Sequence, residues 1–366
     1  MNKTLFYPFI LFYTLALIYL AWTTPISPHE AKIFYSEEGI INFLMHSGDA
    51  LLGGFIGIRL FFLLIGFVSI YLYYEVTKIY LQKEQDRYLA TVVYIMLPGM
   101  ITALVLANIS ILVIPLVLLF LLVHNRGWIC MQFVIMAFLF LIHDASVIFF
   151  IAIFIYALIH KERPLALFSG IFLLLSIIIV RGVEIGGRPS GHFIDIFGLY
   201  TALLSPLLFI YFFYTLYRIL LREEKNILWY ISFGALIASL ILSIRQRISI
   251  TDFAPYVIIS IVLMLDNFNK SMRVRLPLYR KYYKIGFGIV IGSLLIVSST
   301  IIFHQTLFYL IENPKHHFAS RLYEPYWLSQ NLKEKNIGCF DSQKRDKTYQ
   351  LRFYGIGSCP KYHFKE

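Results

Sequence analysis

Charge is what this sequence lacks most: Asp, Glu, Lys and Arg make up 14% of its 366 residues, where a soluble domain carries roughly a quarter. So little charge cannot cover a water-facing surface along most of the chain. Acidic residues are the scarcer sign, 21 against 32 Lys and Arg. Cysteine occurs three times, too seldom for a disulfide-built scaffold. There is no Gly-rich phosphate loop, no nucleophile elbow and no metal-ligand spacing above chance, which argues against the nucleotide-binding, hydrolase and metalloenzyme classes those motifs mark. The first apolar run, Leu5 to Trp22, lacks a small-x-small cleavage site and precedes many more such runs, so it reads as a helix and not a leader.

What is present is apolar. Hydrophobic residues reach 59% and the mean hydropathy is +0.72. Runs near twenty residues recur from Leu5 to Phe303, the length that crosses about 30 Å of hydrocarbon. Open sheets would leave unpaired backbone in lipid and barrel strands would alternate, so the runs are helices. The expected fold class is an all-α polytopic membrane protein with about eleven spans. They fall near 5–22, 56–75, 89–106, 110–123, 128–142, 146–159, 165–180, 197–220, 227–244, 253–268 and 285–303. The basic residues cluster in alternate short connectors, above all in Lys270 to Lys284. That is the positive-inside pattern, and it disposes of nucleic acid as the reason for a net charge of +11. It sets the N-terminus in the cytoplasm and the C-terminus outside.

Residues 1–303 thus form a transmembrane domain with a first outer loop at 23–55, and 304–366 a small extracytoplasmic lobe. The lobe reads as α+β, with a helix from Tyr326 and strand-like residues at 337–340 and 349–354. It holds Cys339 and Cys359, either a disulfide or two free thiols.

Ionisable groups near membrane helices are costly and therefore candidates for function. Four outer places collect them. His29 and Glu30 follow the first span, ahead of an amphipathic stretch suited to the interface; the plainer reading is a surface loop with a carboxylate at a helix start. His143 and Asp144 sit at a span end, to bind a cation or headgroup, unless Asp144 only caps the next helix. Arg181, Glu184, Arg188, His192 and Asp195 share a Gly-rich loop, where Arg188 either meets a phosphate or pairs with Glu184. Arg245, Arg247 and Asp252 break the positive-inside trend, which a lipid phosphate would justify. These charges lie at span ends and no internal repeat emerges, so a membrane glycosyltransferase fits better than a transporter.

The stretch from the first outer loop to the fourth span resembles the glycosyltransferase family of the protein O-mannosyltransferases and the lipid A aminoarabinose transferase, which has the GT-C fold. The residues carrying this are Pro28-His29-Glu30-Ala31-Lys32-Ile33-Phe34-Tyr35, then Arg59 with YLYYEVTKIY and Leu97-Pro98-Gly99, then Arg245-Gln246-Arg247 through Asp252-Phe253-Ala254-Pro255-Tyr256. The motifs are short and degenerate; their order over roughly 260 residues gives them weight. The resemblance implies transfer of a sugar from a polyprenyl-phosphate carrier to a glycan, lipid or protein acceptor of the cell envelope, in a bacterial inner membrane. It implies Glu30 as base with His29 assisting, Asp144 as a supporting acid, and Arg59, Arg188, Arg245 and Arg247 on the carrier phosphate. A divalent metal is left as an option. Two departures stand out: His29 occupies the usual Asp position, and Asn108 and Ser110 stand where an acid often follows the third span. A carrier-linked polymerase, ligase or flippase would call for a large central outer loop that this chain lacks. A catalytically inert carrier-binding relative is the other alternative.

Overall fold

The structure, a computed structural model, describes residues 2–179, 192–309, 311, 314–340, 342 and 344–359. Among them every regular element is helical, apart from one isolated bridge between Cys339 and Gly357. After α1 (Lys3–Thr23), the short helices α2 (Pro28–Ser36), α3 (Ile40–Leu52) and α4 (Gly54–Gly57) precede the long α5 (Leu60–Tyr80). Then come α6 (Glu84–Ile95), α7 (Pro98–Val105), α8 (Ser110–Asn125), α9 (Ile129–Ile142), α10 (Val147–Ile159) and α11 (Arg163–Ile178). The second half holds α12 (Phe193–Leu204), α13 (Pro206–Arg222), α14 (Ile227–Arg245), α15 (Ala254–Ile258), α16 (Ile261–Val274) and α17 (Pro277–Ile302). The tail adds α18 (His304–Leu307), α19 (Ser320–Glu334) and α20 (Arg345–Phe353).

The chain is a polytopic helical membrane protein. Four helices, α1, α5, α14 and α17, are long and apolar enough to cross a bilayer, and the pairs α6/α7 and α12/α13, bent by 63° and 106°, raise the number to six if each is one span. Length and apolar composition alone thus mark four to six spans among the described residues. The helices α8 to α11 are apolar but short, about 20–24 Å at 1.5 Å per residue. The run 253–268 is divided between α15 and α16. Hydropathy misses these breaks because apolar composition continues through them. The backbone does not: Pro98 and Pro206 open new helices, and a residue before proline is steered away from helical angles.

Two compact units emerge. The first comprises Met1–Phe12, Leu64–Leu104 and Ile109–Ser299. In it α10 packs on α11 and α14, and α15 on α8 and α14. Buried serines line these helices without orphaned hydroxyls, Ser169 and Ser176 donating to the carbonyls of Leu165 and Phe172 at 2.7 and 2.8 Å. Small side chains of this kind let helices approach closely in lipid.

The second unit comprises Tyr13–Leu63, Val105–Asn108 and Thr300–Glu366, so the loop after α1 groups with the tail. That loop is two helices rather than one amphipathic stretch. The break is Gly39, whose φ of +151° is open to glycine. Helix α2 packs on α20 and α20 on α19. Leu332, Leu351 and Ile356 form the tail's small core, with Leu328 and Phe340 against it, and the Cys339–Cys359 disulfide closes it. The strand expected at 349–354 is corrected: Tyr349 to Phe353 belong to α20. A strand needs a paired neighbour, whereas a helix closes its hydrogen bonds internally, and the alternation of Tyr349, Leu351 and Phe353 does not by itself decide between them.

Candidate functional site

The local sequence fixes where α2 begins. Ser27-Pro28-His29-Glu30 is a capping box with proline at the first helical position. The Ser27 side chain accepts from the Glu30 amide at 3.1 Å and the Glu30 carboxylate accepts from the Ser27 amide at 2.8 Å. Glu30 is also gripped from the other side. Arg59 donates through Nε to Oε1 and through Nη2 to Oε2, both at 2.8 Å, and the Ala107 amide donates to Oε1 at 2.9 Å.

Arg59 spends its remaining donors on the end of α1. Its Nη1 reaches the carbonyls of Ala21 and Thr24 at 3.0 and 2.7 Å, and Nη2 that of Pro25 at 3.0 Å. These carbonyls lie at or just beyond the helix C-terminus, where acceptors are left over and the dipole favours a cation. The carboxylate sits in the first turn of α2, at the opposite pole. Arg59 and Glu30 thus join the end of one helix to the start of the next.

Both side chains are 0% exposed. All five guanidinium N–H groups have acceptors and the carboxylate takes four donors, the full complement of each. Burial works to raise the Glu30 pKa, but the Arg59 charge and hydrogen bond, with the amides of Ala107 and Ser27, outweigh it and hold the group below the usual carboxylate range. A carboxylate so sealed has no lone pair turned to a substrate, and Arg59 has no free donor for a phosphate. Glu30, expected as base, and Arg59, expected on the carrier phosphate, are thus each other's partners in this structure. The capping-box spacing was the signal in the sequence that Glu30 is engaged.

His29, the residue between, is exposed. The lobe reinforces its setting, since the Gln350 side chain donates to the Ile26 carbonyl at 2.9 Å and the Ile26 amide donates to the Tyr354 hydroxyl at 3.2 Å. The loop ahead of His29 is therefore held by its own cap, by Arg59 and by α20.

A second polar cluster lies in the first unit. Asp144 opens a one-turn 3-10 helix, Asp144–Ser146, and is exposed; the N-cap position of α10 falls to Ser146. His143 beside it is buried, with Nδ1 2.9 Å from the Tyr256 hydroxyl and Nε2 3.9 Å from Asp252 Oδ1. Arg245 ends α14 and Arg247 follows it, both exposed and neither paired with a described residue. Of the Gly-rich loop, His192 and Asp195 pair at 3.1 Å, while Arg181, Glu184 and Arg188 lie outside the described residues. Among the described residues no group of three His, Cys, Asp or Glu side chains is arranged to hold a metal ion.

No protein-family model and no curated protein sequence matches the chain. Solved structures do. The apo structure of ArnT from Cupriavidus metallidurans superposes with a TM-score of 0.60 at 13% identity, over 97% of this chain and 84% of that one. The same enzyme bound to undecaprenyl phosphate gives 0.62 at 11% identity, over 98% and 85%. The fold is therefore the GT-C fold of that aminoarabinose transferase.

Proposed function

We propose that this chain is a membrane glycosyltransferase that takes a sugar from a polyprenyl-phosphate carrier and delivers it to a glycan, lipid or protein acceptor outside the cytoplasm of a bacterial cell. One observation carries the reading: nearly the whole chain follows the fold of a transferase one of whose structures holds undecaprenyl phosphate. At 11% identity that likeness speaks for the scaffold, and the chemistry is argued from the residues.

Transfer from a phosphate carrier asks for a base on the acceptor hydroxyl and for positive charge on the departing phosphate. His29 is the candidate base. It is accessible, imidazole is the side chain most often used as a general base, and the segment ahead of it is held by its cap, by Arg59 and by α20. Glu30 and Arg59 act through it as positioning residues. Arg245 and Arg247, exposed and unpaired with any described residue, are the candidates for the carrier phosphate, and Asp144 is kept as a supporting acid. The sealed state of Glu30 also favours a second reading, a relative that binds carrier lipid without turning it over.

The test is release of free polyprenyl phosphate from a panel of labelled polyprenyl-phosphate sugars by the purified protein in lipid. Sugar-dependent release that falls sharply in Arg245→Ala/Arg247→Ala supports the transferase. Carrier binding without release from any donor supports the inert relative. Binding of no carrier overturns both.

A further inference from the structure

Buried polar groups are nearly always partnered, which makes the His143 ring informative. The residue is 4% exposed. Its Nδ1 lies 2.9 Å from the Tyr256 hydroxyl, and Tyr256 is itself fully buried, so the phenol must give its hydrogen to something. Among the described residues Nδ1 is the acceptor within reach. A ring that accepts at Nδ1 carries its proton at Nε2, and the Asp252 carboxylate on that side favours the same tautomer. Yet Nε2 has no hydrogen-bond partner among the described residues. The nearest carboxylate oxygen, Asp252 Oδ1, is 3.9 Å away, beyond the roughly 3.2 Å limit of an N–H···O bond.

The surroundings hold this pair in place. His143 ends α9 and accepts the Ser146 amide on its own carbonyl at 3.0 Å. Tyr256 belongs to α15, where its carbonyl accepts from Ser232 at 2.7 Å. Asp252 closes the 3-10 turn Ile250–Asp252, and the Thr251 carbonyl next to it accepts from Ser110 at 3.1 Å. The Nε2 donor and the Asp252 carboxylate thus lie 3.9 Å apart, too far to bond each other, on backbone that these contacts hold.

One kind of group suits both at once. A hydroxyl oxygen accepts from Nε2–H and gives its own hydrogen to Asp252. A phosphate oxygen, acceptor only, would be repelled by the carboxylate, and an ammonium by the imidazole N–H. Asp252 stands five residues beyond Arg247 on the same connector, and in a polyprenyl-phosphate sugar the hydroxyls begin one glycosidic bond from the phosphate.

We propose that His143 and Asp252 form a subsite for a hydroxyl of the carrier-borne sugar, with Tyr256 as the positioning residue that sets the imidazole tautomer. This rests on the transferase reading above. The subsite selects the donor by its sugar; the phosphate is held elsewhere.

Equilibrium binding in lipid nanodiscs tests this, comparing bare polyprenyl phosphate with polyprenyl-phosphate hexose. The variants are Asp252→Ala, at a partly exposed position, and His143→Phe, which keeps a ring in the core. The wild type is expected to prefer the sugar-bearing carrier. Asp252→Ala should cut that affinity about tenfold or more, since a hydrogen bond to a charged group is at stake, while bare-carrier binding changes less than twofold. His143→Phe should do the same. Equal loss for both carriers would overturn the subsite and point to the phosphate or the fold. No change for either would overturn it too, leaving water as the partner of the pair. Wild-type protein that binds neither carrier would overturn the transferase reading and the subsite together, whereas carrier binding without a sugar preference removes the subsite alone.

Discussion

Two acid–base pairs in this molecule look alike in the sequence and behave oppositely in the structure. Glu30 and Arg59 meet at 2.8 Å with every donor and acceptor used. His143 and Asp252 stop at 3.9 Å with the imidazole N–H unpartnered. A fully satisfied pair cannot offer anything to a ligand without breaking; a pair held apart can. On the proposals above, the first pair serves architecture and the second recognition.

The largest effect should come from breaking the closed pair. Removing one partner of a buried pair leaves an uncompensated charge and costs about 3–5 kcal/mol, so Arg59→Ala is expected to unfold or to lower sharply the thermal midpoint measured in detergent. Arg59→Lys should rescue little, because a lysine cannot reproduce the five-donor fork. Replacing both partners, as in Glu30→Gln/Arg59→Met, should cost less than the two single changes summed.

Next in size is the staple of the tail. Cys339→Ser/Cys359→Ser is expected to cost about 3 kcal/mol, the scale for closing a loop of this length, read as faster proteolysis of the tail beyond His304. The cap comes third. Ser27→Ala removes the acceptor for the Glu30 amide and should cost about 1 kcal/mol, visible as a small downward shift of the midpoint.

The smallest effect is a pH dependence of one sign in two separate windows. Burial first of all holds His304 and His317 below their ordinary pKa. Their contribution is complete above the unfolded value, about 6.5, and drains away as pH falls through the lowered folded values. Glu30 is also lowered, so its contribution persists through that range and is lost only on descent through the carboxylate range. Amide exchange should therefore loosen 304–309 and 314–323 at mildly acid pH while α2 stays protected until strongly acid pH.

The long helices were legible in the sequence because twenty apolar residues in a row are a one-dimensional signal: α1, α5, α14 and α17 all fall on expected runs. The breaks at Pro98, Pro206 and around Pro255 were not, since composition does not change across them. Glu30 drew notice as a costly ionisable group and Arg59 through the family resemblance, but their partnership spans 29 positions and belongs to tertiary structure. The capping box announced only that Glu30 is engaged at the start of its own helix. The approach of His143 to Asp252, like its bond to Tyr256 across 113 positions, had no trace in spacing. Helix α20 was misread because a strand and a short helix can share one alternating pattern.

In the proposed function His29 is the reactive group, and Glu30 and Arg59 hold it in place. The most direct measurement pairs carrier-phosphate release with the thermal midpoint for His29→Ala. Release is expected to fall by at least about 100-fold, the scale of a lost general base, with the midpoint unchanged. Undiminished release from His29→Ala protein that is fully folded would contradict it.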